Sequence, residues 1–200
     1  PVIVLKSHAD DVDEELQKGF QSVLVPVDGS IYAKATLKWI AALDWGQNTR
    51  FKLITAVSTF VEGLTQEKHL GHAVDSQLPN LTTMAMSELE ELAIPLITKF
   101  GADRVTTQVQ DGDPRDIILD VAEAWKADLI IVSTHGRSGL RRMLLGSVCQ
   151  AMAAQAPCSV AVVRGLVSQE EKEKHDEEHN QMDTRYDRGG NYGDIRPQVH

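Results

Sequence analysis

The sequence predicts an α/β fold, with a single open sheet of five parallel strands and helices on both faces. Two observations carry that prediction. Short apolar runs alternate with helix-period segments from Ser22 to Val163, and strands that alternate with helices become parallel neighbours joined by right-handed crossovers. The run Leu129-Ile130-Ile131-Val132 is continuously apolar and largely β-branched, the composition of a strand buried on both faces.

In chain order, residues Pro1 to Gln21 join an apolar start, Val2 to Leu5, to an acidic stretch between Asp10 and Glu15, and read as an extension outside the core. The first core strand is Ser22 to Val27. Asp28-Gly29-Ser30 turns the chain, and Ser30 is placed to cap the following helix. Ala33, Leu37, Ile40 and Ala41 share one face of that helix, which is expected to end near Gly46. Phe51 to Val57 forms the second strand. Ser58 to Leu78 is polar, carries His69, Gly71 and His72 without a sustained period, and reads as an exposed excursion. Leu81, Ala85, Leu89, Leu92 and Leu96 mark one face of a long helix, in which Pro95 either kinks the chain or is tolerated near the last turn.

Val105 to Val109 alternates, as a half-exposed edge strand does. Gly112-Asp113-Pro114 starts the next helix, with Asp113 as cap, Pro114 at the first position, and Ile117, Val121 and Ala124 facing inward. After the buried strand at Leu129, a helix from Val148 to Gln155, a break at Pro157 and a last strand, Ser159 to Val163, complete the alternation.

Chemistry is expected between Ser133 and Val148. The buried strand breaks into Ser133, Thr134, His135 and Gly136, and Gly146-Ser147 opens the next helix. A helix start exposes N–H groups at the positive end of its dipole, and glycine lets a ligand approach the backbone, so the position suits phosphate. Arg137, Arg141 and Arg142 add positive charge, either toward such a ligand or as a solvated basic face.

Strand, polar loop, basic spacer and Gly-Ser helix start together resemble the nucleotide-binding universal stress proteins. Ser133, Thr134-His135, Gly136, the spacer Arg137 to Leu145, Gly146 and Ser147 follow that family's ATP signature, except that the signature opens with Gly where this chain has Ser133. The resemblance runs from about Ser22 to Arg164. It implies the strand order 3-2-1-4-5 of an adenine nucleotide alpha hydrolase-like fold, with the ligand beyond the carboxyl ends of the first and fourth strands, where the order reverses. It also implies ATP, or AMP or ADP in its place, with Mg as a candidate companion ion. Pro26, Val27 and Asp28 match the positions that hold the adenosine, and Val57 the position beside adenine. Val132, Ser133 and Gly136 match ribose and phosphate contacts, and Gly146, Ser147 and Val148 the phosphates. Each has a plainer reading: Asp28 can brace its turn, Val57 and Val132 are strand residues, and Gly136 and Gly146 can be ordinary loop and helix-end glycines.

At 200 residues with 42% apolar content, the chain holds one core with residues to spare. The domain is expected over 22–164, between the extension 1–21 and a tail, 165–200, whose charge run and lack of apolar periodicity cannot build a core. His175, His179 and His200 in that tail lack the spacing of a metal site. A net charge of −9 argues against a nucleic-acid partner. No apolar run approaches the roughly 18 to 20 residues that span a bilayer, and no secretory leader is recognisable. Two cysteines, Cys149 and Cys158, are too few for a disulfide framework and fit the cytoplasm.

Phosphoryl transfer needs charge neutralisation and a positioned nucleophile, and little of either is legible: there is no Gly-x-x-x-x-Gly-Lys-Ser/Thr loop, and Asp28 is the one carboxylate placed nearby. The preferred expectation is an ATP-binding stress-response regulator, in which ligand orders the loop Thr134 to Leu145 and changes a surface offered to a protein partner. The alternatives are a slow ATP hydrolase using Asp28 and a divalent ion, or a nucleotide-free dimeric scaffold in which Ser133 marks loss of the site. A homodimer is expected through 160–163, since an apolar last strand would otherwise leave an open edge.

Overall fold

A computed structural model describes residues 2–4, 19–57, 71–134 and 146–164. Its elements are β1 (Val2–Val4), β2 (Ser22–Pro26), α1 (Ile31–Ala42), β3 (Arg50–Val57), α2 (Gly71–Phe100), β4 (Val105–Asp111), α3 (Pro114–Ala124), β5 (Leu129–Ser133), α4 (Ser147–Gln155) and β6 (Ser159–Val163). The sheet order is β1-β6-β5-β2-β3-β4. From β6 to β4 all pairs are parallel, which gives the five core strands the expected 3-2-1-4-5 order.

The sixth strand was not anticipated. β1 pairs antiparallel with β6, in the register Val2↔Val162, Ile3↔Ala161 and Val4↔Val160. Residues read as an appendage thus enter the sheet, and the edge on which the homodimer expectation rested is filled from within the chain.

The period-2 alternation of the strands divides the interior into two layers. Val23, Val25, Phe51, Leu53, Leu129 and Ile131 face α1 and α2, where Leu37, Ile40, Leu89 and Leu96 meet them. Leu24, Ile54, Ile130, Val160 and Val162 face α3 and α4, against Ile117, Ile118, Val121 and Met152. Strand β2 contributes to both layers and is pinned at its start, where the Asp128 carboxylate accepts the N–H groups of Gln21 (2.7 Å) and Ser22 (3.1 Å). β4 lies at the sheet edge, as its alternation predicts.

Three boundaries or faces differ from the sequence reading, and Pro95 takes one of its two expected forms. Helix α1 ends at Ala42 rather than near Gly46: Leu43 turns extended, and the Ile40 carbonyl accepts both its N–H at 3.2 Å and the Trp45 indole N–H at 3.0 Å. Helix α2 begins at Gly71, within the stretch read as an excursion; 58–70 lies outside the described residues. Extending a helix backwards needs no apolar period, since each added residue gains a backbone bond once the nucleus exists. Pro95 is accommodated inside α2 with its ring exposed, so the carbonyl it deprives of a bond, that of Glu91, belongs to the solvent side. In α3 the inward stripe is Ile117, Ile118, Val121 and Ala122, and Ala124 is exposed because it lies one residue beyond that stripe.

The caps follow the sequence. Ser30 Oγ accepts the Ala33 N–H at 3.2 Å, and Asp113 Oδ1 accepts the Arg115 N–H at 2.8 Å. The Asp113 carboxyl is also bonded by the Arg115 guanidinium, at 3.0 Å and 2.6 Å, which together with the backbone bond lowers its pKa from 3.8 to about 2. A depressed carboxyl pKa contributes stability that is present above the unfolded value and is lost as pH falls through the folded one. Asp113→Ala is therefore expected to cost about 1 kcal/mol near neutral pH. The difference from the parent protein, read from urea midpoints, should shrink as pH falls from about 3.8 toward about 2.

Candidate functional site

The carboxyl ends of β2 and β3 open on a cleft of about 640 Å3 walled on its far side by α2. That volume lies within the range of small-molecule sites, roughly 300 to 1,000 Å3. Asp28 and Gly29 form its floor from β2, Thr55, Ala56 and Val57 its side from β3, and Met84, Glu88 and Glu91 part of its α2 wall. Gly29 adopts φ +76, a left-handed conformation that L side chains rarely take, and so turns the chain at the floor of the cleft.

Val27 is clamped just below this floor. Its N–H donates to Ile54 O at 2.8 Å, and its carbonyl accepts the Thr55 hydroxyl at 2.9 Å. Asp28 braces the next step: its Oδ1 accepts both the backbone N–H (3.1 Å) and the hydroxyl (2.7 Å) of Ser30, which in turn caps α1. The turn is thereby fixed to both the sheet and the helix.

On the other side of β2, the ladder to β5 covers only Val23↔Leu129 and Leu24↔Ile130. Beyond it, β5 ends at Ser133 and hands over to α4. Thr134 N–H donates to Val163 O at 3.1 Å, and Gly146 N–H donates to Thr134 O at 2.9 Å, so the start of α4 is stitched to the end of β5. Gly146 is the N-cap of α4 and supplies no side-chain cap. The helix's own bonds begin with Gln150 N–H on Gly146 O at 3.0 Å, which leaves the N–H groups of Ser147, Val148 and Cys149 without a partner among the described residues.

Charge separates the two halves. The cleft is lined by the carboxylates of Asp28, Glu88 and Glu91, with no Lys or Arg among its described lining residues. Anions are disfavoured there and favoured at the α4 start, where three backbone donors and the helix dipole point one way. Cys149 sits in that first turn, buried, and burial pushes its thiol pKa up. Both cysteines are buried and neither is in a disulfide. Among the described residues, no group of His, Cys, Asp and Glu is arranged to hold a metal ion, and no helix is long and apolar enough to cross a membrane.

The model of the universal stress protein family matches residues 19–164. The chain belongs to that family. The universal stress protein MJ0531 of Methanocaldococcus jannaschii is 29% identical over 147 residues, covering 72% of this chain and 82% of the relative. Among solved structures, the hypothetical protein MJ0577 shares the fold at a TM-score of 0.62 and 24% identity, over 74% of this chain and 99% of that one. A universal stress protein in complex with cAMP has a TM-score of 0.50 at 20% identity, over 74% of this chain and 98% of its own.

In this universal stress protein the residues singled out from the sequence fall into two groups. Asp28 and Val57 line the cleft, with Val57 half-buried there; Val27 is buried beneath it, and Pro26 ends β2. Val132 is buried in the α3–α4 layer, while Ser133, Gly146, Ser147 and Val148 gather where β5 meets α4, outside the cleft lining. Gly136, with His135 and the three arginines of the spacer, lies outside the described residues, as do His69 and the tail 165–200.

Ser133 continues the β5–β6 ladder opposite Val163 and has no left-handed backbone, so the conformation at this position does not require the glycine of the family signature. Gly146 is likewise free of conformational need: φ is −67, and an added Cβ would meet Thr134 O at an ordinary 3.5 Å. Sequence reasoning missed Thr55, Met84, Glu88 and Glu91. Met84, Glu88 and Glu91 recur at i, i+4 and i+7 beside the apolar stripe of α2, a spacing visible in the sequence, but which strand ends that flank would face was not.

Thr55→Val keeps the shape and removes the hydroxyl that holds Val27. A loss of about 1 kcal/mol is expected. Hydrogen exchange should quicken at Gly29 and Ser30 and remain unchanged at Leu24 and Ile130.

Proposed function

We propose that this chain binds an adenine nucleotide across the carboxyl end of the sheet, and that occupancy regulates a surface offered to a protein partner. The observation that carries the reading is the division of charge around one set of strand ends: a cleft lined by carboxylates on one side of β2, and a start of α4 with three N–H groups unpartnered among the described residues on the other. A ligand with a neutral aromatic base and an anionic tail satisfies both halves, and neither half suits the other's group. The base and ribose occupy the cleft beside Val57 and Asp28. Met84, 68% exposed at the rim, offers its thioether to a ring face. The phosphates meet Ser147 and Val148, with ATP, or ADP or AMP, as the ligand and Mg accompanying the longer phosphate chains. The cAMP complex of a universal stress protein of the same fold supports a ligand of this class.

Regulation, rather than turnover, fits the residues present. Asp28 is engaged in bracing Ser30, and no second carboxylate on β2 or β5 stands beside the phosphate end. A ligand shifts a protein surface only by its differential affinity for two states, so the partner must distinguish occupied from empty protein. A cytoplasmic location belongs to this reading, in keeping with two buried thiols.

The experiment is to denature the purified, never-nucleotide-exposed protein and run the supernatant on ion-exchange chromatography, alongside thermal melts with ATP and Mg. Near-stoichiometric nucleotide, or a stabilisation of about 2.7 kcal/mol at 100 times the dissociation constant, is expected. An empty protein with an unmoved melt would leave a nucleotide-free scaffold. Gly146→Val should abolish nucleotide retention without lowering the melting temperature of the ligand-free protein by more than a few degrees, because φ at this position is −67 and an added Cβ meets Thr134 O at an ordinary 3.5 Å. Nucleotide retained by that variant would sink the phosphate assignment.

A further inference from the structure

We infer that the sheet face over β3 and β4 is a docking surface for an extended acidic segment of a partner protein, one with carboxylates at alternate positions. The period of the strands puts Arg50 and Lys52 of β3 on the same face as Gln108 and Gln110 of β4. That face belongs to the α3–α4 side, but the helices there pack on Leu24, Ile54, Ile130 and Val160 and leave these four side chains half-buried or exposed. A polar ledge results.

Its two cations lack counter-ions. Lys52 Nζ donates to Gln108 Oε1 at 3.3 Å and Arg50 Nη2 to Ser22 Oγ at 3.4 Å, both neutral acceptors, and among the described residues neither forms an ion pair. The Trp125 ring, half-buried against the α3–α4 core, lies 5.4 Å from Lys52 Nζ and 5.9 Å from Arg50 Cζ, so both side chains are gathered at one fixed ring. Lys126, exposed and next in the chain, adds a third positive charge. The spot reverses the sign of a chain whose net charge is −9. A Debye length of about 8 Å at physiological salt makes a ligand respond mainly to the charges it touches.

Spacing selects the ligand. Arg50 and Lys52 stand two residues apart on a strand, about 6.6 Å, which is also the distance between carboxylates at i and i+2 of an extended chain. A segment lying along β3 meets the two cations with successive carboxylates, one at a guanidinium fork and one at a compact ammonium. The ledge begins about 23 Å along β3 from Val57, so this docking goes beyond the nucleotide reading and stands without it.

Fluorescence anisotropy on the purified full chain tests the surface, with a short labelled peptide in which glutamate and serine alternate as the probe. A dissociation constant of about 100 μM or below is expected at about 50 mM salt, weakened about tenfold by Arg50→Gln with Lys52→Gln. Removing the same charge from the exposed side of α1, by Lys34→Gln with Lys38→Gln, should leave binding unchanged. A peptide whose glutamates recur at every third position should bind several-fold more weakly. No binding by the full chain, an equal loss from the α1 variant, equal affinity for the two peptides, or tighter binding of an oligothymidine than of either peptide would overturn the proposal. Should the β3 variant fail to fold, the unsubstituted protein decides: peptide that binds without shifting the Trp125 indole N–H resonance is docked elsewhere, and the proposal fails.

Discussion

Burial of β2 on both faces is the constraint on which the rest of the structure depends. Val23 and Val25 enter one layer and Leu24 the other, all nearly inaccessible to solvent, so β2 cannot shift by one residue without exchanging the contents of both cores. Asp128 fixes its amino end by accepting two backbone N–H groups, and Thr55 fixes its carboxyl end by donating to Val27 O. With both ends held, the turn at Asp28 has one position relative to β3. The cleft inherits its shape from that position.

The carboxyl end of β5 is held in the same way. The short ladder between β2 and β5 lets the strand ends part, while Thr134 ties β5 to both β6 and α4 through two backbone bonds. The backbone donors of α4 are therefore aimed by the sheet rather than by a mobile side chain. Orientation of an anion by backbone N–H groups carries little entropic cost, because the groups are already fixed by folding.

Much of this was legible in the sequence where local chemistry and global fold agree. Ser30 and Asp113 cap the helices their spacing predicts, and the unbroken apolar run at Leu129 is a strand buried on both faces. Asp28 and Val57 meet in one cleft, although only strand order places them together. What escaped depends on contacts distant in sequence. Val2–Val4 carries no signal distinguishing an edge strand from an appendage, because its partner lies at the other end of the domain. Glu88 and Glu91 look like any solvated helix flank until α2 is docked against β3. At the end of α1 the Ile40 carbonyl is taken by the Leu43 N–H and by the Trp45 indole, a side-chain bond that no propensity scale contains.

The two margins of the sheet are guarded by different means. At β1 the guard is a strand of the chain itself. At β4 it is composition: Thr106, Gln108 and Gln110 present a hydrophilic row, with Gln108 bonded to Lys52 at 3.3 Å and to Gln110 at 3.2 Å. Hydrophilic, half-solvated edges resist strand addition. Open-ended growth edge to edge needs two margins that accept a further strand, and among the described residues one margin is occupied by β1 and the other is hydrophilic.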